Sequence, residues 1–133
     1  MRTVIFTLAF LFLLPWATAK AADCNAPQTQ TDMNQCAAQA WRRADAELNA
    51  HYRQITNRLK DNAAAIKQLT VAQRAWLVFR DAECAFATSA SDGGSIRPAL
   101  QASCEEQLTR KRTAEFKIYL SCQEGDLSCP VPP

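Results

Sequence analysis

The chain has 133 residues, a length that fits one small domain. It carries 15 Lys and Arg against 13 Asp and Glu, and cleavage after Ala21 would remove Arg2 and Lys20 and leave 13 of each. So balanced a charge argues against nucleic-acid binding, because that activity depends on an excess of basic residues. Three glycines in the whole chain, with abundant Ala, Gln, Arg and Leu, favour helix over sheet.

Residues 1–19 have the pattern of a cleavable secretory signal peptide. Arg2 gives a positive start, the apolar run Val4–Trp16 follows, and small residues end the segment. The apolar run is too short for a typical membrane span, and no later segment approaches ~20 apolar residues. We therefore expect a periplasmic or secreted protein with no membrane span in its mature part. Three cleavage sites fit the pattern, after Ala19, after Ala21 and after Ala22.

Six cysteines lie in the mature part of the chain. An even number of cysteines in a small exported protein predicts disulfide bonds. A zinc site is disfavoured because there is no C-x₂₋₄-C spacing and His51 is the only histidine. Lipid attachment at Cys24 is another alternative, but Asp23 stands where lipoprotein processing expects a small residue. We therefore expect no free thiol among Cys24, Cys36, Cys84, Cys104, Cys122 and Cys129.

The first predicted helix begins near Thr31 and Asp32, which both offer cap chemistry. Apolar residues then recur at steps of three or four, which places them on one face of about eight helical turns. Charged residues occupy the other face, and Asp61-Asn62 interrupt the pattern. The predicted inner residues are Met33, Ala37, Trp41, Ala44, Leu48, Tyr52, Ile55 and Leu59.

The second predicted helix runs from about Ala63 to Thr88. Leu77 and Val78 widen its apolar surface, so this helix could touch both of its neighbours. The aromatic residues Trp41, Trp76 and Phe79 lie at core spacing, and we interpret them as packing residues rather than as a ligand platform. The predicted inner residues are Ile66, Leu69, Ala72, Trp76, Phe79 and Phe86.

Ser89–Ser95 is the clearest loop, because paired glycines end helices and permit φ > 0. Ser95 is predicted to cap a third helix that has Pro98 in its first turn and ends near Ser121. Short connections make consecutive helices antiparallel, so we expect an all-α, three-helix bundle over residues 23–121 and a Cys- and Pro-rich tail over 122–133. The predicted inner residues of the third helix are Leu100, Cys104, Leu108, Ala114 or Glu115, and Tyr119 or Leu120.

The hairpin formed by the second and third helices suggests one disulfide. Cys84 lies near the end of the second helix and Cys104 lies two turns into the third, so an antiparallel pair brings them to similar heights. The remaining cysteines would then join in sequence, with Cys24–Cys36 at the N-terminal end and Cys122–Cys129 in the tail. This sequential pairing is one of several connectivities that six cysteines allow.

No catalytic set stands out in the sequence. His51 has no Ser or Cys nearby, and there is no Gly-rich phosphate loop and no H-E-x-x-H motif. Asp and Glu fall mostly on the predicted polar helix faces, which argues against a glycosidase pair of carboxylates. We therefore expect no enzymatic activity, no cofactor and no metal. An exported, disulfide-stapled helical module of this kind is expected to function by binding.

Three blocks of the mature chain carry a further pattern. The first is Thr31–Ala37, with Cys24 before it and Ala44–Asn49 after it; the second is Gln73–Cys84; the third joins Gly93–Ser95 to Cys104 and Arg112. In order and spacing these blocks resemble the LprI-type lysozyme-inhibitor family, a group of small exported helical domains. The resemblance spans Cys24 to about Leu120 and leaves the tail outside.

This resemblance implies that the protein binds and inhibits lysozyme, and it supplies no catalytic residues. A lysozyme cleft holds a protonated glutamic acid and an ionised aspartate, so an inhibitor must fill the cleft and offer donors to those carboxyls. The loop between the second and third helices is small and polar, which suits that role; a plain interhelical turn is the alternative. The candidate contact residues are Ser91, Asp92, Gly93, Gly94 and Ser95.

A second interpretation belongs to a different class of protein. The chain could be a non-catalytic envelope or secreted adaptor, or an immunity-like module, that binds another protein through a helix face. A lysis assay with and without added lysozyme separates the two interpretations. In both of them we expect the protein to be a monomer.

Overall fold

The computed structural model describes residues 22–133, and the predicted signal peptide over residues 1–19 lies outside this part of the chain. The described residues form α1 (Gln30–Arg58), α2 (Ala63–Ala87) and α3 (Arg97–Leu120), with a short 3₁₀ helix at Ser89–Ser91 between α2 and α3. No strand occurs within them. The prediction of an all-α, three-helix fold is therefore confirmed.

The helix ends are set by local side-chain chemistry, and two predicted caps are wrong. Thr29, rather than Thr31, caps α1: its hydroxyl accepts from the Asp32 N–H at 3.1 Å, and the Asp32 carboxylate accepts from the Thr29 N–H at 3.0 Å. Asn62 caps α2 by accepting from the Ala65 N–H at 3.0 Å. Ser95 does not cap α3, because α3 starts one residue later, after Ile96.

The helices run up, down and up, so α1 and α3 are parallel and α2 is antiparallel to both. At one end of the bundle, Asn34 near the start of α1 donates to the Ser95 carbonyl just before α3. At the other end, Arg58 in the last turn of α1 donates to the Leu120 carbonyl at the end of α3. The α1–α3 pair is the most closely packed in the molecule.

The core is small and lies between α1 and α3. Phe116 on α3 is fully buried, and the rings of Tyr52 and Tyr119 lie 6.2 Å from it, centroid to centroid. The predicted inner face of α1 is largely correct, although Met33 at its start is exposed. Most of the apolar stabilisation of the fold therefore comes from this helix pair. The buried core residues are Leu48, Ile55, Leu59, Phe116 and Val131.

The predicted inner face of α3 is only partly correct: Tyr119 and Leu120 pack against the core and Cys104 is bonded to the buried Cys84, but other predicted residues are not buried. Leu100, Ala114 and Glu115 are exposed, and threonines occupy part of the true inner face. A buried threonine is tolerated there because the Thr113 hydroxyl donates to the Thr109 carbonyl at 2.9 Å within the same helix. The buried residues of α3 are Ala102, Thr109, Thr113 and Phe116.

The predicted inner face of α2 is correct for three residues and wrong for three others. Ile66, Leu69 and Trp76 pack against the core, as expected. Ala72, Phe79 and Phe86 are exposed instead of buried. Residues two apart on a helix point to opposite sides, so a disulfide that holds Cys84 inward turns Phe86 outward. The buried residues of α2 are Gln73, Arg80 and Cys84.

Three disulfide bonds join the cysteines in sequential order, which is the pairing expected from the helical hairpin. The joined Cα atoms lie 5.4 to 5.7 Å apart, within the range that disulfides require. The tail packs against the helical domain, because its Val131 is buried in the core. The bonds are Cys24–Cys36, Cys84–Cys104 and Cys122–Cys129.

Candidate functional site

The connection between α2 and α3 forms one end of the bundle, and the predicted contact residues all lie in it. It leaves α2 through Thr88, a buried residue whose hydroxyl lies 2.7 Å from the Cys84 carbonyl and 3.0 Å from Oε1 of Gln101 on α3. The chain then makes the single 3₁₀ turn Ser89–Ser91 before it emerges into solvent. The base of the loop is therefore fixed to both helices.

Three further contacts brace the exposed part of this loop. The Asp92 carboxylate forms an ion pair with Arg97 in the first turn of α3. The Ser95 carbonyl accepts from Asn34 Nδ2 of α1 at 3.0 Å. The Cys84–Cys104 disulfide joins the helices on either side of the loop. The loop is consequently held by all three helices.

Within this braced loop, some polar groups are used internally and others remain free. The Ser91 hydroxyl donates to the Thr88 carbonyl at 2.7 Å, so it is not available to a partner, contrary to the expectation that the loop hydroxyls act as donors. Among residues 22–133, no acceptor faces the N–H groups of Gly93 and Ser95 or the Ser95 hydroxyl. These three donors belong to exposed residues of the loop tip.

The glycines at the loop tip have distinct roles. Gly93 has φ of 78°, a conformation that favours glycine, and a Cβ added there would meet nothing within 4 Å. A Cβ on Gly94 would approach the Ser91 carbonyl oxygen to 3.0 Å, which is tight. The tip therefore combines a turn that needs glycine with open space on its outer side.

A second polar cluster lies between α1 and α2, and the sequence reasoning above did not single it out. The Arg80 guanidinium carbon lies 5.6 Å from the Trp41 ring centroid and 5.4 Å from that of Trp76. Arg80 is only 6% exposed, and it pairs with Asp45 at 3.5 Å and Asp81 at 2.8 Å. The arrangement is a cation–π sandwich that holds two helices together. Its sequence signal is the spacing of Arg80, four residues after Trp76 and four before Cys84.

A groove lies at the end of the bundle opposite the loop, with a volume of about 310 Å³. Leu59 and Leu69 form part of its apolar wall, and the tail residues Pro130 and Val131 close one side. Arg112 is its charged lining residue, and it is already engaged by Gln73 Oε1 at 3.1 Å and by the Glu115 carboxylate. The Arg112 guanidinium of this groove thus already has partners within the protein.

His51 and Glu47, two ionisable residues of α1, make contacts within the helix or with α3. The His51 Nδ1 lies 2.9 Å from the Glu47 carbonyl one helical turn earlier, which is a local contact. The Lys117 ammonium hydrogen-bonds to Glu47 Oε1 at 2.7 Å, and it lowers the pKa of that carboxyl. Over residues 22–133 there is no group of three or more His, Cys, Asp or Glu side chains placed to hold a metal ion. Nor is any helix in this range both long and apolar enough to cross a bilayer.

A comparison with known protein families shows to which family this chain belongs. The family described as "Lysozyme inhibitor LprI" matches residues 21–116. The chain belongs to the LprI lysozyme inhibitor family. The LprI match includes the Cys24–Cys36 and Cys84–Cys104 disulfides and the whole braced loop, and it stops before the Cys122–Cys129 tail.

A curated protein shares this LprI-type sequence over most of its length. "Uncharacterized protein R02472" of Rhizobium meliloti (strain 1021) is 40% identical over 114 residues, which cover 77% of this chain and 82% of that protein. No solved structure matches the chain.

Proposed function

We propose that this protein is an exported, non-catalytic inhibitor that binds a lysozyme and blocks its cleft with the loop Ser91–Ser95. The observation that carries the proposal is the construction of that loop: a small, polar tip with free N–H donors, held by all three helices. Membership of the LprI family supplies the class of target. Export to the periplasm or the exterior, where lysozyme acts, agrees with three disulfides and with the signal-like residues 1–19.

The chemistry of a lysozyme cleft matches the free groups of the loop. Two carboxyl groups flank the scissile bond, one protonated and one ionised at working pH. The N–H groups of Gly93 and Ser95 and the Ser95 hydroxyl can donate to those oxygens. Because Gly93 and Gly94 carry no side chain, the backbone can approach the floor of a narrow cleft closely.

The braces of the loop lower the entropic cost of binding. A flexible loop loses conformational freedom when it is immobilised, by about 0.5–1.5 kcal/mol for each ordered side chain. Here the Asp92–Arg97 ion pair, the Asn34–Ser95 hydrogen bond and the neighbouring disulfide fix the loop before it meets a partner. Binding energy is therefore not spent on ordering it.

The test is an inhibition titration on a peptidoglycan suspension with lysozymes of several classes. Wild-type protein with intact disulfides should slow lysis in a stoichiometric manner and should cleave nothing when lysozyme is left out. Ser95→Tyr and Asp92→Lys should each raise the inhibition constant, and loss of a central contact corresponds to about 2 kcal/mol or roughly 30-fold. Asp61→Lys, in the α1–α2 connection at the other end of the bundle, is the matched control and should inhibit like wild type.

Unfolding curves separate a lost contact from a lost fold. Both loop variants should melt close to wild type, because neither side chain is buried. Equal inhibition by wild type and loop variants would move the contact to another surface. If wild-type protein slows no lysozyme of any class, the inhibitor proposal fails, and the adaptor or immunity-like interpretation takes its place.

A further inference from the structure

The outer face of α2 is unusual in composition for a solvent-facing helix. Its large side chains are well exposed: 61% for Val71, 71% for Val78, 53% for Phe79 and 77% for Phe86. Exposed alanines lie between them at helical spacing, and the residues that α2 buries include Gln73 and Arg80. A continuous apolar strip of this kind marks an interaction surface. We define the outer face of α2 as Val71, Ala75, Val78, Phe79, Ala82, Ala85 and Phe86.

The spacing of this strip suits another helix. Val71, Ala75, Val78, Ala82 and Ala85 alternate steps of four and three, the repeat by which two helices pack side by side at a shallow angle. The alanines let two backbones approach closely, while the valines fill the space between them. The outer face of α2 is thus shaped for a helix that also presents small and β-branched residues.

The charged residues beside the outer face of α2 indicate what kind of partner helix would fit it. Arg74 and Asp81 lie seven residues apart, on the same edge of the outer face, while Glu83 lies on the other edge. Arg74 has no acidic partner among the described residues. Asp81 receives both contacts from Arg80 on Oδ1, which leaves Oδ2 free, and its side chain is largely exposed. One edge therefore carries a free cation and a free acceptor two turns apart.

In place of the monomer expected from the sequence, we propose that the outer face of α2 is a self-association surface, through which two copies of this protein pair antiparallel about a two-fold axis near Val78. In such a pair, the same edge of each helix faces its mate, so Arg74 of one copy lies beside Asp81 of the other, twice. The same symmetry sets Ala75 against Ala82 at the point of closest approach. A second copy would therefore pair with Arg74 and Asp81 and also cover the apolar outer face of α2.

This pairing has a geometric consequence for the protein. The loop Ser91–Ser95 lies beyond the end of α2, so an antiparallel pair carries its two loops at opposite ends, on the order of 40 Å apart. The loop residues are not part of the outer face of α2. Self-association and the proposed binding of lysozyme therefore use separate surfaces, and each can be tested without the other.

The first experiment measures the oligomeric state of the mature, oxidised protein by light scattering and sedimentation equilibrium from micromolar to millimolar concentration. Wild type should sediment as a dimer. Val78→Glu should weaken association by about tenfold or more, because it buries an unpaired charge at the centre of the interface. Ile118→Glu is the matched control: its side chain is 67% exposed on α3, and the variant should associate like wild type. Circular dichroism at low concentration checks that each variant is folded.

The second experiment tests the antiparallel arrangement. Arg74→Asp and Asp81→Arg should each weaken association, and the combined Arg74→Asp/Asp81→Arg variant should recover it. Glu83→Arg, on the other edge of the strip, should leave association nearly unchanged. A wild-type protein that stays monomeric throughout, or a folded Val78→Glu variant that still dimerises like wild type, overturns the proposal. A folded double variant that does not recover association overturns the antiparallel arrangement.

Discussion

The α1–α3 pair and the α2 helix are held in place by different kinds of interaction. Between α1 and α3, fully buried apolar side chains such as Ile55 and Phe116 supply the contact. α2 packs Ile66, Leu69 and Trp76 against the same core. Its other contacts are the Arg80 sandwich, the Cys84–Cys104 disulfide and the Tyr52–Thr70 hydrogen bond at 3.1 Å. Val78, Phe79 and Phe86, in the second half of α2, point to solvent instead.

This difference indicates how a small disulfide-bonded domain can place a hydrophobic surface outside. A domain of this size has little net stability to lose, and withdrawing one helix from the apolar core would normally be destabilising. Near the end of α2, the Cys84–Cys104 disulfide and the Arg80 contacts hold the helix without burying Val78, Phe79 or Phe86. The predictions below test this division, beginning with the strongest contact.

The largest effect is expected in the α1–α3 core. Phe116→Ala should lower the free energy of unfolding by about 3–5 kcal/mol, because it removes a fully buried ring and leaves a cavity between two tyrosines. Thermal and denaturant unfolding measure the loss. Ile118→Ala, two residues away and exposed, should change stability by only a few tenths of a kcal/mol. Similar losses in both variants would show that Phe116 is not the centre of the core.

The next largest effect is expected from the disulfide that holds α2. Replacing Cys84 and Cys104 together by Ala should lower stability by about 3 kcal/mol, because the bond closes a loop between residues 20 apart. Replacing Cys122 and Cys129, which are 7 apart, should have a smaller effect of about 2 kcal/mol. Peptide mapping without reduction checks the pairing directly. A Cys84 peptide joined to any cysteine other than Cys104 would refute this account of α2.

A smaller effect is expected from the Arg80 cluster. Arg80→Met should lower stability by about 2 kcal/mol, since it keeps much of the side-chain volume and removes the charge between Trp41 and Trp76. Arg42→Met, on the exposed side of α1, is the control and should be close to neutral. The near-ultraviolet circular dichroism of the tryptophans should change in Arg80→Met alone. A stable variant with unchanged tryptophan signals would show that the sandwich does not hold α2.

The smallest effect is expected from the Glu47–Lys117 pair, which joins α1 to α3 at the surface. Lys117 lowers the pKa of Glu47 from its ordinary value of 4.5, so the pair stabilises the fold above that pH and loses its effect as pH falls through the lower, folded-state pKa. Because both side chains are largely hydrated, the contribution is about 0.5 kcal/mol. A double-mutant cycle with Glu47→Gln and Lys117→Met, measured at neutral and acidic pH, should show a coupling that disappears in acid. A coupling that persists in acid would exclude the ion pair as its source.

The position of the candidate loop and the disulfide beside it could be predicted from the sequence, because both depend on nearby residues. The loop Ser89–Ser95 was predicted from its glycines, and the expected partner of Cys84 followed from helix lengths and an antiparallel turn. The use of the loop donors was not predictable. Whether the Ser91 hydroxyl turns inward to Thr88 or outward to solvent depends on the path of the 3₁₀ turn, which the residue types leave open.

The sequence by itself determined the fold class, the presence of three helices and the inner face of α1, because helical periodicity, turn residues and cap chemistry act over a few residues. Only the tertiary structure decided which sides of α2 and α3 are buried. α2 is apolar on more than one side, and α3 carries threonines on its inner side. Periodicity alone therefore does not show whether Phe79, Phe86 and Phe116 are buried or exposed. The Cys84–Cys104 bond and the Arg80 sandwich set the rotation of α2, and both act between residues that are distant in sequence.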